Sequence, residues 1–124
     1  MIVVDTSVWI EFFRQTNPFS SRLKKLLETR EVLACSFAFG ELLQGARNNR
    51  EREMLLHYWE ALPHADESDL FLQAGRLSGE QHFLSQGVGL IDVAMLVFAR
   101  RNQAALWTLD KKLQKLLSSK ERFL

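Results

Sequence analysis

Apolar residues along this chain recur with two different periods. Short β-branched runs bounded by polar residues alternate with longer stretches in which apolar positions repeat every three or four residues, the patterns of buried strands and amphipathic helices. Ile2-Val3-Val4 ends at Asp5 and predicts a first strand, after which Ser7 caps a helix with Val8, Trp9, Phe12 and Phe13 on one face. Asn17-Pro18 opens a second helix, with Pro at the first helical position and Leu23, Leu26 and Leu27 inward. Val32-Leu33-Ala34-Cys35 reads as a second strand, and Ser36 caps a helix over Phe37–Ala46. Met54, Leu55, Tyr58, Trp59 and Leu62 mark the next helix, which Pro63 stops, and His64-Ala65 reads as a short edge strand. A long helix runs from Ser68 to near Gly87, and another from Gly89 through Asp92, Ala94, Val97 and Phe98 to Arg101. Ala105–Leu109 is the last strand and Lys111–Leu117 the last helix. Strands separated by helical crossovers predict an α/β fold with a parallel sheet.

At 124 residues the chain reads as one domain, residues 1–124, with no internal repeat or linker. Hydrophobic residues are 47% and charged residues 25%, which excludes a disordered or low-complexity chain. No apolar run approaches the ~20 residues of a membrane span. The N-terminus carries an acid at position 5 and no basic region, so no secretory signal is expected. The single cysteine, Cys35, has no partner within the chain, and a cytoplasmic location is expected. The net charge of +1 hides an asymmetry. Residues 1–99 carry 9 Lys/Arg and 13 Asp/Glu, whereas residues 100–124 carry 7 basic residues (Arg100, Arg101, Lys111, Lys112, Lys115, Lys120, Arg122) and 2 acids. A solvated helix face explains that pattern, and so does a polyanion or acidic-protein partner.

Four acids stand where such a fold collects its ligands, beyond the carboxyl ends of the strands. Asp5 ends the first strand and Asp110 follows the last; Glu41 lies one turn into the helix after the second strand, and Asp92 opens an apolar helix. Singly, each has a structural explanation: Asp5 and Asp110 as helix caps, Asp92 as a complement to the helix dipole, Glu41 as a solvated side chain. Caps have no need to converge, however, and convergence carries a cost. Two carboxylates ~5 Å apart repel by about 3 kcal/mol at an effective dielectric of ~20. Such a set stays ionised around a cation and otherwise takes up protons. An all-carboxylate donor set selects a hard ion such as Mg²⁺ or Mn²⁺, suited to activating water against a phosphodiester. His57, His64 and His82 show no metal-ligand spacing with one another or with Cys35. A receiver-type phosphoacceptor needs an acid pair after the first strand and a Lys after the last, and the chain has Asp5-Thr6 and Asp110 instead. A haloacid-dehalogenase-type phosphatase needs Asp-x-Asp there, and Ser7 takes the second place.

D-T-S-V-W-I at 5–10, E-L-L-Q-G-A at 41–46, G-L-I-D-V-A at 89–94 and T-L-D at 108–110 resemble, in order and spacing, the PIN-domain nucleases, and most closely their VapC-type toxins. The resemblance covers the whole chain. It implies a PIN-like α/β domain, a small parallel sheet wrapped by helices with an acidic pocket at one edge. It also implies a metal-dependent endoribonuclease in which Asp5, Glu41, Asp92 and Asp110 form the Mg²⁺ or Mn²⁺ site. Asp5 and Asp92 match the most direct ligands, and Glu41 and Asp110 the positions that hold a second ion or orient water. Ser7 and Thr108 match hydroxyls that steady the acids or meet substrate. The implied partners are an RNA substrate, often transfer RNA, a cognate VapB-type antitoxin and a second copy of the chain. Arg100, Arg101, Lys111, Lys112 and Lys115 are the basic residues expected to meet RNA, and Arg47 and Arg50 are further candidates. Two departures stand out: Gly40 inside a helix, at a propensity cost of ~1 kcal/mol, and Lys111-Lys112 directly after the last acid. A non-catalytic relative that binds RNA or protein through the same pocket is the competing reading.

Overall fold

The computed structural model describes residues 1–124. Three parallel strands, β1 (Ile2–Val4), β2 (Val32–Leu33) and β3 (Ala105–Trp107), form a sheet in the order β2-β1-β3. Register pairs Val3 with Leu33 on one side and with Leu106 on the other. The first and last strands are therefore direct neighbours, and Asp5 N–H extends the ladder to Trp107 C=O at 2.9 Å.

Helices α1 (Thr6–Phe13) and α2 (Phe19–Glu28) follow β1; α3 (Ser36–Gln44), α4 (Asn49–Ala61), α5 (Leu70–Gln81) and α6 (Leu90–Arg101) lie between β2 and β3. The short α7 (Lys111–Gln114) closes the order. Helix α6 packs on β1, β3, α3 and α5. Its Val93, Ala94, Met95, Leu96, Phe98 and Ala99 are all buried, which accounts for the near-continuous apolar run after Asp92. Trp9 of α1 meets Phe39 of α3 at 5.2 Å and Tyr58 of α4 at 6.1 Å, edge-on in both cases, and so ties three helices into one aromatic core.

Several sequence expectations shift. His64-Ala65 is not a strand. The segment after Pro63 is irregular, and Pro63 C=O accepts Ala34 N–H at 2.8 Å beside the end of β2. The helix expected to end near Gly87 stops at Gln81, because His82 turns left-handed at φ 57°. A single 3₁₀ turn, Leu84–Gln86, follows, and Gly87 at φ 81° turns the chain toward α6. Ser36 lies inside the first turn of α3 instead of capping it, and its N–H and hydroxyl both donate to Glu67.

Residues 121–123 run along the outer edge of β3. Leu106 N–H donates to Glu121 C=O at 2.7 Å and Phe123 N–H to Leu106 C=O at 3.0 Å, which covers an otherwise open sheet edge. Arg22 of α2 lies over the Trp107 and Phe123 rings at 4.9 and 5.2 Å and fastens this segment down.

Candidate active site

The right-handed crossovers of a parallel sheet bring the residues that follow each strand to one edge, and three of the four acids arrive there this way. Asp5 follows β1, Asp110 follows β3, and Glu41 lies one turn into the helix after β2. Asp92 comes from a helix start, in the first turn of α6.

Asp5 is the most fixed of the four. It is only 4% exposed, and its Oδ2 accepts hydrogen bonds from Ser7 Oγ and Thr108 Oγ1, both at 2.7 Å. Each hydroxyl is itself oriented, since Ser7 Oγ accepts Leu109 N–H at 3.0 Å and Thr108 Oγ1 accepts Asp110 N–H at 3.0 Å. The amides of Leu109 and Asp110, just after β3, donate to the two hydroxyls, and each hydroxyl gives its own proton to Asp5, an acceptor on both bonds. Ser7, expected as a cap, instead stitches the ends of β1 and β3 together. Gln114 of α7 adds a further tie, donating to Thr108 C=O at 2.7 Å.

Glu41 is half-buried, and its Oε1 accepts Thr6 Oγ1 at 2.7 Å. Neither Thr6 nor Gln114 stands out in the sequence. The signal for Thr6 was the run Asp5-Thr6-Ser7, two hydroxyls directly after an acid at a strand end. Asp110 serves two purposes: its Oδ1 caps α7 by accepting Lys112 N–H at 2.8 Å and Leu113 N–H at 3.1 Å, while the residue itself stays exposed at the pocket rim.

Asp92 records the crowding. Its carboxyl is pushed up from 3.8 to about 6, first by burial and then by the negative charges of Asp5, Asp110 and Glu41. All three other acids thus act on Asp92, and no cationic side chain offsets them. The side chains are nevertheless spread: no three His, Cys, Asp or Glu residues stand close enough to grip an ion between them. The donor set is oxygen alone, with Cys35 buried and His64 engaged with Trp59 C=O at 2.7 Å. Oxygen donors that are charged and not tightly clustered fit a hard ion that keeps part of its water, and fit Zn²⁺ poorly.

The basic residues divide. Lys111, Lys112 and Lys115 are exposed around α7, next to Asp110. The stem of Lys112 lies against Gly87, where an added Cβ would stand 3.0 Å from its Cδ, so this lysine borders the loop leading to Asp92. Arg100 and Arg101 sit at the other end of α6 from Asp92, about 12 Å along the axis. They are engaged there, Arg100 with Glu121 at 2.6 Å and Arg101 with Gln73 at 2.9 Å.

Comparison with known proteins agrees with this fold. A family model described as PIN domain matches residues 2–117. The chain belongs to the PIN-domain family. Ribonuclease VapC32 of Mycobacterium tuberculosis, from strains CDC 1551 / Oshkosh and ATCC 25618 / H37Rv, is 32% identical over 117 residues, covering 92% of this chain and 88% of the relative. The crystal structure of VapBC2 from Rickettsia felis bound to a DNA fragment from their promoter superposes with a TM-score of 0.67. The match covers 98% of this chain and 96% of that one at 18% identity, a likeness of fold. The order β2-β1-β3 with its acids at the carboxyl edge is the PIN-like arrangement the motifs implied.

Proposed function

We propose that this PIN-domain protein is a metal-dependent endoribonuclease and the toxin of a toxin–antitoxin pair. The observation that carries the reading is the approach of four carboxylates, three of whose charges add to the burial that raises Asp92 with no cation offsetting them there. Asp5 and Asp92 are the residues that would hold Mg²⁺ or Mn²⁺, with Glu41 and Asp110 completing the negative shell. When bound, such an ion supplies charge for the phosphate and lowers the pKa of a bound water.

The chain's own residues do the positioning. Ser7 and Thr108 fix the plane of Asp5 before substrate arrives, so little reorganisation accompanies binding. Thr6 occupies Oε1 of Glu41, leaving Oε2 as the atom that accepts a proton from the attacking water. Hydrolysis breaks the bond between phosphorus and the 3′ oxygen, giving a 3′-hydroxyl and a 5′-phosphate. Lys111, Lys112 and Lys115 hold phosphates beside the cut. The remaining partners in this reading are a cognate VapB-type antitoxin and a second copy of the chain. Exposed Phe71, Leu72, Leu84 and Leu90 supply apolar surface for such a dimer. No helix is long and apolar enough to cross a membrane, and the reading places the protein in the cytoplasm with its RNA.

The deciding experiment is cleavage of total RNA from the source cell, mapped by end-sequencing, with wild type and Asp5→Asn in Mg²⁺ or Mn²⁺ and an EDTA control. Discrete cuts from wild type with metal alone are expected. Folded, antitoxin-free, metal-loaded protein that makes none would point to a binding module.

A further inference from the structure

Beyond Asp110 the chain runs down α7 and turns at Ser118–Glu121, where Glu121 N–H donates to Ser118 C=O at 3.1 Å. Residues 121–123 then climb back parallel to β3, with Arg122 level with Leu106. This excursion carries Lys111, Lys112, Lys115, Lys120 and Arg122, all exposed, and a single acid, Glu121. Glu121 is already engaged by Arg100, 2.6 Å away. The ion pairs of the molecule belong to Arg14, Arg47, Arg76, Arg100 and Arg101, and none of the five cations takes part in one. The row also outruns the acidic pocket. Leu106 lies four residues before Asp110, so at ~3.3 Å per residue Arg122 stands as much as ~13 Å along the sheet from that acid. Lys120, in the turn, lies farther still.

We propose that this cationic track is a docking surface for double-helical RNA flanking the cut, a proposal that rests on the nuclease reading. Lys111 and Lys112 follow Asp110 directly and serve the phosphates beside it. Lys120 and Arg122 are too far along the sheet for that task and meet the helical arm from which the cut strand leaves. Two features select a duplex over a loose strand. The first is chemical. Single strands are gripped by aromatic faces on which bases stack, whereas an A-form duplex is read through its phosphates and 2′-hydroxyls. Trp107 is only 3% exposed, with the Phe123 ring at 5.0 Å, and Arg22 lies over both rings, so this surface presents charge and no bare stacking face. The second is rigidity. The returning segment is tied to β3 through Leu106 on both sides of Arg122, and Glu121 Oε1 accepts Ser118 N–H at 2.9 Å across the turn. Cations set on such a frame suit phosphates that a helix holds at fixed spacing. Release of the counterions around those phosphates supplies the attraction, whatever the base sequence.

The test is the affinity of the full chain for two fluorescein-labelled RNAs, a stem-loop hairpin and a single strand of its loop sequence, read by anisotropy with Ca²⁺ in place of Mg²⁺. Lys120→Gln with Arg122→Gln is the variant pair; both side chains are exposed, and circular dichroism verifies the fold. Arg52→Gln with Arg76→Gln is the control, removing the same charge from α4 and α5. The variant pair is expected to raise the hairpin Kd about tenfold and to flatten its slope of log K against log salt by about 2, at ~0.9 per duplex contact. The single strand should lose less than about twofold, as should either RNA with the control pair. A hairpin Kd at the wild-type value, a loss no larger than the control's, an equal loss on the single strand, or no hairpin binding at all would overturn the proposal; unchanged hairpin affinity would leave the track to an acidic protein. Cleavage in Mn²⁺ keeps the two readings apart. The variant pair should raise KM for a hairpin-borne site and leave kcat unchanged. Wild type that binds the hairpin through Lys120 and Arg122 yet cuts no RNA would remove the nuclease reading alone. Normal cleavage beside an unchanged hairpin Kd would remove the docking surface alone.

Discussion

Replacing Asp92 by asparagine removes the one charge that the pocket most clearly disfavours. The carboxyl titrates near 6 instead of 3.8, through burial and the fields of Asp5, Asp110 and Glu41. A shift of that size corresponds to about 3 kcal/mol at ~1.4 kcal/mol per unit. Asp92 is only half-buried, and solvent screening reduces what reaches the folding equilibrium to about 1–2 kcal/mol. The sign follows from proton counts. Between 3.8 and about 6 the folded chain binds more protons at Asp92 than the unfolded chain does, so stability falls as pH rises through that window and stays low above it. Asparagine never ionises, so the variant escapes this loss. Without metal at about pH 8, Asp92→Asn is therefore expected to melt about 4–8 °C above wild type, from the entropy of unfolding of a chain this long. Near pH 4 the two should melt together. Added Mg²⁺ should close the gap at high pH, because an ion that binds only the folded wild type stabilises it. Thermal melts followed by circular dichroism in EDTA supply the comparison. A variant no more stable than wild type at high pH, or one whose advantage survives at pH 4, would show that ionising Asp92 does not burden the folded chain.

Three further outcomes follow from the same geometry. Thr6→Val removes the one protein hydrogen bond to the Glu41 carboxylate and is expected to lower kcat about 5- to 20-fold, with KM and Tm nearly unchanged, in steady-state cleavage of a short RNA. Neutralising Lys111, Lys112 and Lys115 together should weaken RNA binding and flatten the slope of log K against log salt by about 2, at ~0.7 per contact on a single strand, while calorimetric Mn²⁺ affinity stays near normal. An unchanged slope would mean that the α7 lysines face the antitoxin. Gly40→Ala should stabilise the fold by about 0.5–1 kcal/mol in urea unfolding, since a Cβ there meets nothing within 4 Å and the helix gains propensity.

The acids were legible because each followed a change of period: a β-branched run stopping at Asp5, an apolar strand passing into Thr108-Leu109-Asp110, a glycine start before Asp92. Their supports were less so. Thr6 and Glu41 are 35 residues apart, and Gln114 reaches the backbone of Thr108 from another helix, contacts that no local pattern announces. The end of α5, at Gln81 instead of near Gly87, was hidden for a related reason. Four left-handed turns that close helices fall on Gln15, Arg30, His82 and Gln103, none of them glycine. Their 6→1 hydrogen bonds, such as Ala104 N–H to Ala99 C=O at 2.9 Å, meet the same need without the usual residue. The split among the basic residues was equally hidden, since Arg100 and Arg101 look like RNA contacts until Glu121 and Gln73 are seen to hold them.

The pairing of the first strand with the last has a consequence for how the protein is born. Asp5 emerges from the ribosome almost at once, but its second hydroxyl partner, Thr108, and the fourth acid, Asp110, come more than a hundred residues later. The outer edge of β3 is not covered until residues 121–123 have followed. A nascent chain therefore carries three of the acids without the strand that aligns them. The acidic pocket is thus assembled only after synthesis of the chain is nearly finished.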